Sequence, residues 1–240
     1  MMTDIKSIIL NSIEGACLNK HDYLLNNIDF IAQHIKDIPG DIVECGVWKG
    51  ATFSYMGTVF ADRTMWAYDS FEGVPFEKEQ IKYKDTYSVH GVDWSNCCPE
   101  LVANESFLYE SLEKYKVQNL DRINVVKGWF KDTLPNATQQ IAVLRVDGDL
   151  YSSTYEVLEY LYPLVVKGGF VIFDDYCIDE SRGAVHDYFS QLGELPTFYN
   201  PRDNPPTIVS NLSIRWDNTI DKYRHNLSDI LHFQGTFVQK

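Results

Sequence analysis

Two stretches decide the fold: residues 141–151, IAVLRVDGDLY, and residues 168–176, GGFVIFDDY. Each is an apolar run that reads as a buried strand and ends abruptly in acid. Asp147 and Asp149 follow the first, Asp174 and Asp175 the second. Residues 152–166 between them read as a helix. A strand–helix–strand crossover makes the two strands parallel and brings both C-terminal ends to one edge of the sheet. Open α/β sheets bind their ligands at that edge. Carboxylates gathered there repel one another, and a divalent cation shared between them relieves the repulsion. Ligands that are all oxygen suit magnesium, calcium or manganese.

A length of 240 residues fits one α/β domain with insertions, and 45% hydrophobic residues are enough for a sizeable core. A net charge of −13 argues against a nucleic-acid partner and against an anionic membrane surface, both of which need a basic footprint. The first twenty residues carry Asp4 and Glu14 and one short apolar run, which is neither a signal peptide nor a membrane span. The five cysteines, Cys17, Cys45, Cys97, Cys98 and Cys177, are odd in number and fit no zinc module. A reducing, cytoplasmic setting is the expectation.

Residues 3–36 read as helical, with Ile5, Ile8, Ile9 and Ile13, then Leu24, Ile28, Ile31 and Ile35 at helical spacing. Such helices serve to cover a cleft, to build a subunit contact or simply to pack on the sheet edge, so a homo-oligomer stays open. Pro39–Gly40 closes this N-terminal segment, 1–39. Residues 41–45 then read as the first strand and 51–61 as a helix. Between them Glu44, Gly46 and Gly50 form the pattern E-x-G-x-x-x-G. A tight strand-to-helix turn needs glycine, and the helix start offers free N–H groups to an anion. The spacing is neither the dinucleotide glycine fingerprint nor a Walker loop.

Residues 64–68 read as the second strand. Asp69 at its end lies where nucleotide-type folds keep an acid for ribose hydroxyls, and it also suits a turn with Ser70. Residues 72–100 lack a period and read as a lid insertion, in which His90, Trp94, Tyr83 and Tyr87 are candidates for a substrate pocket. Residues 104–117 read as a helix and 122–127 as the third strand. Gly128, Trp129 and Phe130 follow, the aromatic pair suited either to stacking on a planar base or to the core. Residues 183–192 form another predicted helix, with Arg182 and His186 near its start. The segment 194–210 holds four prolines and reads as a loop. Residues 212–216 alternate like a late strand, and 217–240 read as a tail outside the domain, 40–216.

Several stretches together resemble the macrocin O-methyltransferase (TylF-type) family of class I methyltransferases. They are GDIVECGVWKGATF (40–53), YDSFEGVP (68–75), KGWFKDTLP (127–135), LRVDGDLYSSTYEVLEYLYPLVVKGGFVIFDDY (144–176) and RGAVHDYF (182–189). The resemblance implies a Rossmann-like α/β sheet, mostly parallel with an antiparallel late strand and helices on both faces. It implies S-adenosylmethionine as cofactor, Mg2+, and an acceptor hydroxyl on the sugar of a glycosylated natural product or a surface polysaccharide precursor. It places Glu44, Gly46, Val47, Trp48 and Gly50 in the cofactor turn, Asp69 and Ser70 at the cofactor ribose, and Gly128, Trp129 and Phe130 near adenine. Asp147, Asp174 and Asp175 become the metal ligands, and Asp149 a supporting residue. Asp147 ranks first as the base that takes the hydroxyl proton, with His90 and His186 as alternatives. Competing readings are a catechol-type metal-dependent O-methyltransferase, a non-catalytic cofactor-binding module, and a nicotinamide oxidoreductase, which the glycine spacing disfavours.

Overall fold

The computed structural model describes residues 6–8, 22–74, 88–89, 92–93, 101–177, 179–193, 196–209 and 234–240. Helix α1 (Asp22–His34) leads into β1 (Asp41–Cys45), α2 (Ala51–Val59) and β2 (Met65–Asp69). A two-stranded ribbon, β3 (Ser88–Val89) with β4 (Val92–Asp93), precedes α3 (Ser106–Lys114) and β5 (Ile123–Lys127). Then come α4 (Phe130–Thr133), β6 (Ile141–Val146), α5 (Tyr151–Leu161), β7 (Val165–Phe173) and α6 (Asp179–Leu192). Strands β8 (Thr197–Asn200), β9 (Thr207–Val209) and β10 (Thr236–Gln239) finish the chain.

Eight strands form one sheet in the order β5-β2-β1-β6-β7-β10-β8-β9. The five on the β5 side pair in parallel, and β10, β8 and β9 pair antiparallel. The chain runs outward from β1 to β5, then restarts on the other side of β1 at β6. The strand order therefore reverses between β1 and β6, and a crevice opens beyond their C-terminal ends. Gly46 and Asp147 are the residues that follow those two ends.

Side-chain alternation along the strands splits the core in two. Phe170 and Ile172 of β7 face a cluster with Ile28 and Ile31 of α1, Phe53 and Met56 of α2, and Leu108 and Leu112 of α3. Val171 and Phe173 face the other side, with Val157, Leu158 and Leu161 of α5 and Val185 and Phe189 of α6. Helices thus cover both faces, as expected. The buried stripe of α1 is Leu25, Ile28 and Ile31, continuing to Ile35, while Leu24 is only half-buried. The connection from α1 to β1 is held from outside: the Arg63 guanidinium donates to the carbonyls of Ile35, Ile38 and Gly40 at 2.9, 2.7 and 3.0 Å. Ile5, Ile9 and Ile13 of the first apolar repeat lie outside the described residues.

Two expectations change. The proline-rich stretch contains strands: β8 fits between Pro196 and Pro201, and β9 begins after Pro206. The prolines flank the ladder instead of interrupting it, so no N–H is missed. The chain end also belongs to the sheet. Strand β10, within the predicted tail, pairs with β7 on one side and β8 on the other. The predicted strand at 212–216 and most of the predicted lid lie outside the described residues. Cys45 and Cys177 are buried thiols without a disulfide.

Candidate active site

The crevice at the β1/β6 reversal is a cavity of about 210 Å³. The glycine turn forms one wall. Gly46 has φ 88°, and its amide donates to the Tyr68 carbonyl at 2.9 Å. Its backbone presses on Asp147, whose amide donates to the Cys45 carbonyl at 2.9 Å. Glu44, Gly46, Val47, Trp48, Asp69, Ser70, Gly128, Trp129 and Phe130 all line the crevice. Gly50 does not. It stands before α2 with φ 81°, and a β-carbon there would lie 2.5 Å from Leu108 Cδ1, so it serves the packing of α3.

Asp69 has a heavier structural load than a ribose contact. Its Oδ2 accepts the amides of Val47 and Trp48 at 2.6 and 2.8 Å, and its Oδ1 accepts the amide of Phe71 at 2.7 Å. Trp48 and Phe71 both have left-handed backbones, φ 49° and 56°. Such conformations are costly for large side chains and persist only when the surroundings hold them. Asp69 does so for two loops at once. Two lone pairs per carboxylate oxygen leave one site, on Oδ1, for a further donor. Burial raises the Asp69 carboxyl above its usual range, opposed by the three amides.

Opposite stand the acids. One oxygen from each of Asp147, Asp174 and Asp175 lies within 4.8 Å of the others. Asp174 and Asp175 are buried, whereas the Asp147 side chain is 28% exposed into the crevice. Burial first, and then repulsion from Asp149, Asp147 and Asp174, pushes Asp175 well above the usual carboxylate range. Burial likewise pushes Asp147 up, against the pull of Arg145. Three crowded carboxyls with oxygen donors only are a fitting set for a hard divalent cation. Asp149 contributes through its backbone: with φ 57°, its amide donates to Asp175 Oδ2 at 2.9 Å. Asp tolerates that left-handed conformation better than most residues.

His186 stands elsewhere. It is not among the residues lining the crevice; its Nε2 shares a 2.8 Å hydrogen bond with the Tyr176 hydroxyl, and its ring stacks near Phe198. That corrects its placement among the candidate bases. His90, Trp94, Tyr83 and Tyr87 lie outside the described residues.

Arg145 is the residue that sequence reasoning passed over. It is 4% exposed, in the middle of the site. It ion-pairs with Glu44 and Asp147 through Nη1 and with Asp174 through Nη2, the last two at 2.7 and 2.5 Å. Its signal was present: Glu44 and Arg145 are charged residues inside otherwise apolar strands, and they are register partners across β1 and β6. Glu156, buried on α5, and Gln234, just before β10, also line the crevice without having been singled out.

The reversed sheet order, the glycine turn at the reversal and the acids across from it define a class I methyltransferase. The chain belongs to the macrocin O-methyltransferase (TylF) family of S-adenosylmethionine-dependent methyltransferases, whose profile matches residues 20–195. It is 39% identical over 181 residues to 8-demethyl-8-(2,3-dimethoxy-alpha-L-rhamnosyl)-tetracenomycin-C 4'-O-methyltransferase of Streptomyces olivaceus, covering 70% of this chain and 66% of that protein. It is 36% identical over 183 residues to mycinamicin III 3''-O-methyltransferase of Micromonospora griseorubida, covering 70% and 68%. The chain thus spans about two thirds of the length of these relatives. Among solved structures it is similar to the O-methyltransferase NovP, with a TM-score of 0.72, 29% identity, and 84% and 95% of the two chains covered. CalS11, a calicheamicin methyltransferase, shares the fold at a TM-score of 0.58 and 18% identity, over 99% and 90% of the chains. Among the described residues no helix is long and apolar enough to cross a membrane.

Proposed function

We propose that this protein methylates a sugar hydroxyl of a glycosylated small molecule, with S-adenosylmethionine as donor and Mg2+ held by Asp147, Asp174 and Asp175. The observation that carries the reading is that one crevice contains both halves of the chemistry: a glycine turn suited to the cofactor and a carboxylate triad 4.8 Å or less across. The two relatives named for rhamnosyl 4'-O- and mycinamicin 3''-O-methylation support a sugar acceptor.

On this reading the N-terminus of α2 receives the cofactor carboxylate. Glu44 receives its ammonium group: Glu44 Oε2 is buried, lines the crevice and has no hydrogen-bond partner among the described residues. The remaining lone pair of Asp69 Oδ1 takes a ribose hydroxyl. Trp129 and Phe130 flank the base. A bound divalent cation supplies Lewis acidity, lowering the pKa of a coordinated hydroxyl. Asp147, the member of the triad most exposed to the crevice, accepts the hydroxyl proton. Holding the acceptor oxygen in line with the donated methyl group is worth orders of magnitude in rate.

The test is a substrate panel of glycosides with vicinal hydroxyls against catechols, with wild type, Asp147→Asn and Asp174→Asn. Sugar methylation that both variants lose, while S-adenosylhomocysteine still binds, is the expected result. Transfer to catechols alone would replace the acceptor assignment. Undiminished activity of either variant in excess chelator would remove the metal from the reading.

A further inference from the structure

The glycine turn and the carboxylate triad are joined by a single side chain. Arg145 Nη1 bridges Glu44 Oε1 and Asp147 Oδ2, and Nη2 meets Asp174 Oδ1. Glu44 belongs to the turn; Asp147 and Asp174 belong to the triad. The other oxygen of Glu44 is the buried one without a partner among the described residues. One buried guanidinium therefore engages one oxygen from each of three carboxylates.

We propose that Arg145 is a positioning residue that sets which oxygens of Asp147 and Asp174 are presented to a divalent cation and, through Glu44, links cation binding to cofactor binding. The inference rests on the proposed metal and cofactor sites and goes beyond them. Three physical points support it. First, the guanidinium fork is planar and rigid, so carboxylates bonded to it lose rotational freedom, which a single-point ammonium would not impose. Second, Glu44, Asp147, Asp174 and Asp175 are a costly set of buried or half-buried acids. One arginine offsets one charge and leaves the rest to attract a cation. Third, a ligand that fixes Glu44 fixes Arg145 with it, and this in turn fixes two of the three triad members. By linkage, a cation then affects the cofactor as much as the cofactor affects the cation.

The full chain is titrated with Mn2+, followed by electron paramagnetic resonance of the free ion, with and without saturating S-adenosylhomocysteine. Two variants divide the proposal. Arg145→Lys keeps the charge and loses the fork. It is expected to weaken Mn2+ binding roughly tenfold or more, as loss of a ligand-orienting partner typically does. Glu44→Gln leaves the fork on both aspartates and replaces the charge-assisted link to the turn by a weaker, neutral one. It is expected to hold Mn2+ within about threefold of wild type. In wild type, S-adenosylhomocysteine is expected to shift the Mn2+ dissociation constant by about fivefold or more, and in both variants that ratio is expected to approach one.

Arg145→Lys with wild-type Mn2+ affinity overturns the positioning role, and Glu44→Gln with an unchanged ratio overturns the link. Should Arg145→Lys fail to fold, the Glu44→Gln ratio decides alone. A wild type that binds no Mn2+ overturns this proposal together with the metal assignment. A wild type that binds Mn2+ while Arg145→Lys matches it overturns this proposal and leaves that assignment standing. A merely structural role for Arg145 would lower thermal stability without changing the ratio.

Discussion

Gly46 and Asp147 meet backbone to backbone: a β-carbon on Gly46 would lie 1.6 Å from the Asp147 carbonyl oxygen. Nothing flexible can give way there, because Asp147 is itself held to Cys45 by its amide. The same glycine has φ 88°, a region that L side chains rarely adopt. The glycine turn and the first acid of the triad therefore cannot be altered independently. Gly46→Ala is expected to destabilise the fold by on the order of 3 kcal/mol and to remove S-adenosylhomocysteine binding. Denaturant unfolding and calorimetric titration measure the two effects. A stable variant with wild-type affinity would mean the turn relaxes more easily than this contact allows.

Asp69 yields a different kind of prediction. Its two oxygens restrain three amides, two of them on left-handed residues. Asparagine has the same shape and replaces one oxygen by a donor, which then faces an amide N–H. A buried donor left without an acceptor costs about 1–3 kcal/mol. Asp69→Asn is expected to lose about that much stability and to bind S-adenosylhomocysteine at least tenfold more weakly. If affinity falls without any loss of stability, the ribose contact outweighs the loop restraint.

Much of this was legible before the fold was. Apolar runs ending in acid located β6 and β7, and glycines after an apolar pentapeptide located the β1 turn. Those signals are local: a strand's period, a turn's stereochemistry, an acid at a strand end. Arg145 was hidden because its meaning is a pairing across strands with Glu44, 101 residues away. Strand β10 was hidden for a similar reason. Its four residues, TFVQ, have no period long enough to read, and their partners lie in β7 and β8. The double duty of Asp69 was invisible because its acceptors' partners are backbone amides, which carry no residue identity.

His186 offers a pH test away from the site. Burial, and then the Arg182 charge, lowers its pKa below the usual 6.5. The folded state therefore binds its proton less readily than the unfolded chain. The sign follows from linkage: stability from this residue is fully present above pH 6.5 and is lost as pH falls through and below that value. His186→Gln retains a hydrogen-bonding group for the Tyr176 hydroxyl and cannot titrate. Thermal melts between pH 7.5 and pH 5.5 should fall more steeply for wild type than for the variant. Parallel curves would show that His186 has no share in acid sensitivity.

The chain end gives the sharpest contrast between a tail and a strand. Phe237 of β10 is fully buried, stacked on Tyr199 at 4.7 Å and 7°, with Phe170 and Phe30 within about 6 Å. Just before it, the Gly235 amide donates to the Asp174 carbonyl at 3.0 Å, directly behind a triad carboxylate. Truncating a buried phenylalanine to alanine costs about 3–5 kcal/mol, so Phe237→Ala is expected to lower stability by that much. Deleting residues 234–240 goes further. It removes the strand that joins β7 to β8, exposes the inner edge of both, and takes the Gly235 donor from the Asp174 carbonyl. The deletion is expected to lose cooperative thermal unfolding and Mn2+ binding together, whereas a dispensable tail would leave both at wild-type values. Phe237→Ala separates the two effects: with β10 still paired, its stability should fall while Mn2+ affinity at low temperature stays near that of wild type.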